Sequence, residues 1–268
     1  MTSSKVSVGN TEIVSFLDTS FEVDWKVVFP NIDLENFQPY RDLYPGSYGE
    51  GKFRTYAHAY AIRSQGRTVL CDTGLGPGGG GRLLDDMRAK GVLPEEVDIV
   101  VFTHLHGDHI GWNLTSDKVP TFPKARYLVP QADWDFFVEQ QAQGAPLQQV
   151  LPLKDLGVLE LFSGERTLTP EITTYPTPGH TPGHTSLMIS SAGERAILTG
   201  DLAHHPAQVD HSEWRFGFDS DPEQGVETRC KVFDQLERDG LVVAICHFPD
   251  PGFGRLVRLQ GRRIFQVL

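Results

Sequence analysis

Four side chains able to bind a metal ion fall within six residues of this chain, in the run Thr103-His104-Leu105-His106-Gly107-Asp108-His109. In an extended segment, positions two apart point the same way, so His104 and His106 can share one ion. Gly107 permits a sharp turn, after which Asp108 and His109 face a neighbouring position. Imidazole with carboxylate suits zinc and the other borderline first-row ions. Three later segments offer further donors: His180 in Pro178-Gly-His180-Thr-Pro-Gly-His184, Asp201 in Leu198-Thr-Gly-Asp201-Leu-Ala-His204-His205, and His247 in Ala244-Ile-Cys-His247-Phe-Pro. A carboxylate among neutral imidazoles is a natural bridge, because each of its oxygens can bind one cation. Two divalent ions that share a water bring its pKa toward ~7, which makes hydroxide available at neutral pH for attack on a carbonyl or phosphoryl centre. Such a site needs no serine or cysteine nucleophile.

The donors follow short apolar runs that read as strands, at residues 12–17, 56–63, 68–71, 98–102, 125–129, 186–189, 196–198 and 241–245. The clearest helix covers 222–239: Asp221 is an N-cap, Pro222 fits the first turn, and Gly240 sits where a glycine stop belongs. Further helices are expected over 82–90 and 132–141. Strands mixed with helices indicate a layered α/β protein. No linker or repeat divides the chain, so residues 1–268 read as one domain. The glycine run 78–81 lacks the Gly-Lys-Ser/Thr ending of a phosphate loop and reads as a flexible connection. Residues 25–48 hold six aromatics in 24 positions (25%, against 10% for the chain) together with Pro30, Pro39 and Pro45. This stretch, taken as an insertion over 24–50, is either a packed loop or a lid walling an apolar pocket.

Composition excludes several partners. The 268 residues carry 24 Lys+Arg and 35 Asp+Glu, hence 24 − 35 = −11, which argues against nucleic acid. The longest apolar stretches, 98–102 and 241–246, fall far below the roughly 20 residues that span a bilayer. The start has no basic and apolar leader, so cytoplasm is the expected compartment. Cys71, Cys230 and Cys246 form no disulfide framework or metal knuckle, and the site is expected to be built without thiolate.

With these donors in order, the chain resembles the metallo-β-lactamase-fold metallohydrolases, whose mark is H-x-H-x-D-H followed by a His, a bridging Asp and a last His. The likeness runs from about residue 68 to 249. It implies a four-layer αββα sandwich, two mixed sheets between outer helices, with the site at one sheet edge. By the family pattern, His104, His106 and His180 hold one metal, Asp108, His109 and His247 hold the other, and Asp201 bridges them. Zinc is the expected pair, and manganese, iron or cobalt would accept the same donors. Asp72 matches the family's early strand-end aspartate that supports a ligand histidine. His184 matches the second histidine of the turn, which packs behind it.

Within the superfamily, the chain resembles the group containing N-acyl homoserine lactonases and methyl parathion hydrolase-like enzymes, and Gly200-Asp-Leu-Ala-His204-His205-Pro and His247-Phe-Pro-Asp-Pro-Gly-Phe-Gly254 look closest to the latter branch. That implies hydrolysis of a lactone or related ester bearing an apolar group, with organophosphate triesters as a further substrate class. Asp108 and Asp201 then carry the chemistry as well as metal, with Asp108 also shuttling a proton to the leaving group. Many such lactonases have a tyrosine three residues after the bridging aspartate, where this chain has His204; a site role and a packing role are both open to it. Phe216 and Phe218 belong either to the pocket wall or to the core. His205 and His211 read as polar surface or loop residues, and His58 has no visible partner. A thioesterase or polyketide-type cyclase, a β-lactam hydrolase and a metal-dependent ligand sensor are the competing readings. A glyoxalase II-type thioesterase fits poorly, since only 268 − 247 = 21 residues follow the last donor. Related lactonases suggest a homodimer.

Overall fold

The computed structural model describes residues 3–268. Its first sheet takes seven strands in chain order: β1 (Lys5–Val8), β2 (Thr11–Val23), β3 (Phe53–Ser64), β4 (Arg67–Cys71), β5 (Ile99–Val101), β6 (Arg126–Pro130) and β7 (Leu159–Phe162). Pairing is antiparallel up to β4 and parallel from β4 to β7. The second sheet is β8 (Thr167–Thr169), β9 (Ile172–Pro176), β10 (Thr185–Ser191), β11 (Glu194–Leu198), β12 (Val242–Ala244), β13 (Phe253–Leu259) and β14 (Arg262–Val267), again neighbours in chain order. Within it β11 and β12 pair in parallel. Parallel neighbours need a crossover, and here that crossover contains the long helix over Pro222–Asp239.

Period-two alternation assigns each buried strand residue to a layer. In β4, Val69 and Cys71 face the second sheet while Leu70 faces outward; β5 does the same with Ile99 and Val101 against Val100. In the second sheet Ala196, Leu198, Val242 and Ala244 face inward, and Ile197 and Val243 face out. Both faces of these strands are therefore apolar, which requires a cover on each side. Helix α1 (Leu83–Ala89) covers the first sheet with Leu83 and Met87, joined by Leu153. Over the second sheet lie residues 25–53 and the Pro222–Asp239 helix, through Val232, Phe233 and Leu236. The result is the expected αββα sandwich.

The ends of the long helix match its sequence signals. Asp221 accepts from the Gln224 N–H at 3.0 Å, and Gly240 closes the helix at φ 64°. The 132–141 expectation needs correction: the chain makes one α-turn at Gln131–Asp133 and then a π-helical stretch at Trp134–Glu139. Asp133 turns inward there, and Trp134 and Phe137 both bury, so the wider turn serves two inward-facing side chains and a fixed carboxylate.

Residues 25–48 form only short helical turns, as three prolines in this stretch require. Phe29, Phe37, Tyr40 and Tyr44 are buried, and Phe37 lies 4.6 Å from Phe53 and 4.8 Å from Trp214 between ring centroids. Burying each phenylalanine contributes about 2 kcal/mol of transfer free energy. Among the described residues, no helix is long and apolar enough to cross a membrane.

Candidate metal centre

The donors gather at one end of both sheets because each follows a strand that ends there. After β5 the chain bends at Thr103 and runs on to His106, which sits at the N-cap of helix α2 (Gly107–Ile110) with φ −67° and ψ 158°. Asp108 and His109 thus occupy the first helical turn. His180 lies in the turn before β10, Asp201 three residues beyond β11, and His247 three residues beyond β12. Gly200 supplies a positive φ of 54°, and a Cβ there would stand 2.8 Å from His184 Nε2 and from Thr103 Cβ. Only glycine lets Asp201 enter the site this closely.

Two groups of donor atoms result, each within 4.8 Å of one another: His104, His106, His180 and Asp201, and His109, Cys246, His247 and Asp201. Asp201 belongs to both. In the first, His104 Nε2 and His106 Nδ1 are 3.0 Å apart, and His106 Nδ1 and His180 Nε2 are 2.9 Å apart. Three ring nitrogens this close repel through their lone pairs unless a proton or cation sits among them. In the second, Asp201 Oδ1 is 3.1 Å from His109 Nε2, and Asp201 Oδ2 is 3.0 Å from His247 Nε2. His109 Nε2 is buried and, despite that distance, has no hydrogen bond of acceptable angle. A buried nitrogen without a partner, aimed at a carboxylate, fits a metal position. The donor set therefore fits two cations sharing Asp201.

Asp108 stands farther out than its neighbours, 3.7 Å from both His109 Nε2 and His247 Nε2, and borders the cavity. Cys246 was not foreseen: its Sγ donates to Asp201 Oδ1 at 3.0 Å, so a sulfur reaches the centre as a thiol, which burial and the Asp201 charge push up, away from thiolate. Residue 246 alternates with His247, and nothing in the spacing signals that its side chain meets Asp201 from the inter-sheet core.

The opposite ring nitrogens are held from behind, which fixes tautomer and orientation. Asp72 Oδ2 accepts from His109 Nδ1 at 2.8 Å, and the same carboxylate takes the Thr103 N–H and hydroxyl, each at 2.8 Å. Asp72 adopts φ 63°, a left-handed conformation that aspartate tolerates better than most residues. His247 Nδ1 donates to Tyr56 O at 2.6 Å, and His180 Nδ1 donates to Asp219 Oδ1 at 2.9 Å. Asp219 and the Tyr56 carbonyl escaped the sequence, because a support reached from a remote segment leaves no local spacing. His184 accepts the Asp201 N–H on Nε2 at 3.0 Å and donates from Nδ1 to Thr177 O at 2.8 Å. It packs behind the turn and holds the backbone of Asp201.

Electrostatics follow from burial and mutual contact. Burial pushes the Asp201 carboxyl up, but His109, His247 and His104 outweigh it and hold the group well below the usual carboxylate range. His104 goes well below the ordinary imidazole value through burial and its cationic neighbours, and His106 falls to about 4 for the same reasons. Burial also pushes His180 down, yet its bonds to Asp201 and Asp219 prevail and raise it to about 9. His184 drops to about 3, chiefly by burial, and is neutral.

Above these groups opens a cavity of about 440 Å³. Phe21, Phe29, Phe53, Phe216 and Phe218 form much of its wall, and His106, Asp108, His180, Asp201, His204 and His247 form its floor. His204 Nε2 is 3.2 Å from Asp201 Oδ2, and its ring lies flat on Phe216, 3.4 Å between centroids with 5° between planes. Its Nδ1 is buried without a partner. Phe216 is thus both wall and buried packing, while Phe218 is half exposed at the rim. His205 is not a surface residue: it is buried, with Phe53 and Phe37 at 4.5 and 5.3 Å between centroids, and burial lowers it to about 3. His58 also has partners, with Nδ1 2.7 Å from Cys246 O and Nε2 3.3 Å from Asp250 Oδ1. His211 stays near the surface, paired with Glu213 and stacked on Trp214.

Known proteins share both the motif and this architecture. An N-acyl homoserine lactonase of Bacillus sp is 28% identical over 141 residues, 52% of this chain and 52% of the relative. The N-acyl homoserine lactonase AttM of Rhizobium radiobacter is 29% identical over 181 residues, 62% of this chain and 64% of AttM. The chain therefore matches between half and two thirds of the length of these relatives. Among solved structures, the hydrolase AbOPH of the beta lactamase superfamily superposes with TM-score 0.86 at 25% identity, covering 98% of this chain and 96% of that one. AidC, a dizinc quorum-quenching lactonase in complex with the product N-hexanoyl-L-homoserine, gives TM-score 0.86 at 21% identity over 97% of this chain and 95% of AidC, and so shares the fold. The family profile of the metallo-beta-lactamase superfamily matches residues 54–247, from β3 through the last histidine of the centre, and with donors and sandwich in agreement the chain belongs to that superfamily.

Proposed function

We propose that this protein is a dinuclear metal-dependent hydrolase that opens a lactone or related ester carrying an apolar group. The observation that carries this reading is the shared carboxylate, Asp201, between two histidine groups on the floor of an aromatic cavity. In it, His104, His106 and His180 would hold one cation, Asp108, His109 and His247 would hold the second, and Asp201 would serve both. When bound, the pair supplies Lewis acidity and a water acidified toward ~7. Zinc is the metal we infer, since AidC is described as a dizinc lactonase and the donors suit it.

The chain's own groups supply the rest. Asp108, on the cavity floor and the least enclosed of the acidic donors, takes a proton and returns it to the departing alkoxide. His204 lines the cavity with Nε2 3.2 Å from Asp201 Oδ2, so it orients that carboxylate and places its ring beside the substrate. The phenylalanine wall excludes water around the developing charge and receives the apolar group. Lysine and arginine are missing from the cavity lining among the described residues, which favours an uncharged ester over an anionic phosphate.

A hydrolysis screen on zinc-loaded protein tests this reading. It compares acyl homoserine lactones of graded chain length with aryl esters, a phosphotriester, a thioester and a β-lactam. The expected outcome is the highest kcat/KM on lactones. A thioester or β-lactam turned over ahead of every lactone and ester would contradict it.

A further inference from the structure

The turn Pro178–His184 carries two histidines, but its Thr181 and Gly183 have no part in the metal reading. In the structure both converge on Asp133, which is wholly buried at the start of the helical segment after β6. Asp133 Oδ2 accepts from the Thr181 hydroxyl at 3.0 Å, and Oδ1 accepts from the Gly183 N–H at 2.6 Å. The third donor comes from elsewhere in the chain: the Leu105 N–H reaches Oδ2 at 3.0 Å. Leu105 stands between His104 and His106. One carboxylate therefore ties the His104–His106 segment to the His180 turn, across which His106 Nδ1 and His180 Nε2 are 2.9 Å apart.

An ordinary structural aspartate at this place would cap its own helix, and Asp133 does not. It makes no side-chain bond to the N–H groups of the segment it begins, and all three of its bonds leave that element. The approach is also close. A Cβ on Gly183 would stand 2.6 Å from Asp133 N and 2.7 Å from Asp133 Oδ1, so the contact requires glycine at 183. Asp219 orients a single imidazole through Nδ1, and Asp72 holds His109 together with Thr103, whose hydroxyl is 3.0 Å from His104 Nδ1; Asp133 instead fixes the backbone distance between the His104–His106 segment and the His180 turn. Charge-assisted bonds from two backbone N–H groups and a hydroxyl are strong enough to hold that distance.

We propose that Asp133 is a positioning residue for the first metal position, setting the separation of His104 and His106 from His180. The proposal rests on the dinuclear reading above and adds a selective consequence: loss of Asp133 weakens the first position and spares the second, whereas loss of Asp72, which holds His109 directly and reaches His104 only through Thr103, weakens the second.

Cobalt(II) titration of metal-depleted full-length protein tests it, with electronic spectra and elemental analysis as readouts and H106A and H247A as reference signatures for the two positions. D133N is expected to keep the wild-type far-ultraviolet circular dichroism and to bind the ion whose signature H106A removes roughly 10–100-fold more weakly. D72N is expected to weaken the ion whose signature H247A removes. If D133N does not fold, T181V replaces it, since it removes one donor and leaves the carboxylate; a smaller loss at the same position is then expected. Wild-type affinity at the first position in the folded variant overturns the proposal, and so does equal weakening of both positions. Wild-type protein that takes up no cobalt, or a single ion, contradicts the dinuclear reading itself, a result separable from the other two.

Discussion

His204 links Asp201 to the cavity wall. Its ring is pinned between the Asp201 carboxylate at 3.2 Å and the face of Phe216 at 3.4 Å, and it lines the cavity while its Nδ1 is enclosed. His204→Phe removes both ring nitrogens while keeping a flat side chain to stack. We expect kcat on the best lactone to fall by roughly 10²-fold with KM little changed. Steady-state kinetics on several substrates check this, and unchanged parameters on all of them would remove His204 from the reaction. At this scale the histidines and Asp201 of the two donor groups were legible, because H-x-H-x-D-H sets three of those histidines within six residues and Asp201 and His247 each follow an apolar strand. Their supports were not. Asp133, Asp219 and Cys246 reach the centre from other segments, and no spacing in the chain marks a carboxylate or thiol that acts across the fold.

Strands with continuous apolar runs were found from sequence to within a few residues, because both of their faces are buried. β4, β5, β11 and β12 are of this kind. The strands that escaped, β1, β7, β8, β9, β13 and β14, are edge or near-edge strands, short as in Leu159–Phe162 or interrupted by polar residues as in Thr167–Thr169 and the arginine-bearing Arg262–Val267. One-sided burial leaves them little apolar signal. The Pro222–Asp239 helix, by contrast, announced its caps, and it also carries a side chain with a task beyond covering the sheet. Arg229 is buried and donates to the backbone carbonyls of Leu202, Ser212 and Trp214 at 3.2, 2.9 and 2.6 Å. These carbonyls belong to the loop that runs from Asp201 past His204 toward Phe216. Arg229→Met removes the guanidinium donor from all three, leaving Trp214 O only the 3.4 Å bond from Gln208 Nε2, and we expect a loss of about 3 kcal/mol in folding stability. Urea denaturation of the metal-loaded protein measures it; a change under about 0.5 kcal/mol, the range of an ordinary surface substitution, would contradict this role.

For the molecule as a whole, two stacked sheets bring four distant chain segments to one end, and the aromatic stretch 25–48 adds wall residues Val28 and Phe29 above them. The net charge of −11, with no lysine or arginine in the cavity lining among the described residues, is the basis on which we propose an uncharged substrate. Everything then depends on Asp201 holding two cations. The most direct test is to measure metal content and lactone hydrolysis together in wild type and Asp201→Asn after identical zinc loading. We predict two zinc ions per wild-type chain, and for the variant at most one retained ion with turnover down by roughly 10³-fold or more, since the shared ligand and the paired-metal chemistry are lost together. Full turnover by Asp201→Asn with a single bound ion would contradict the account.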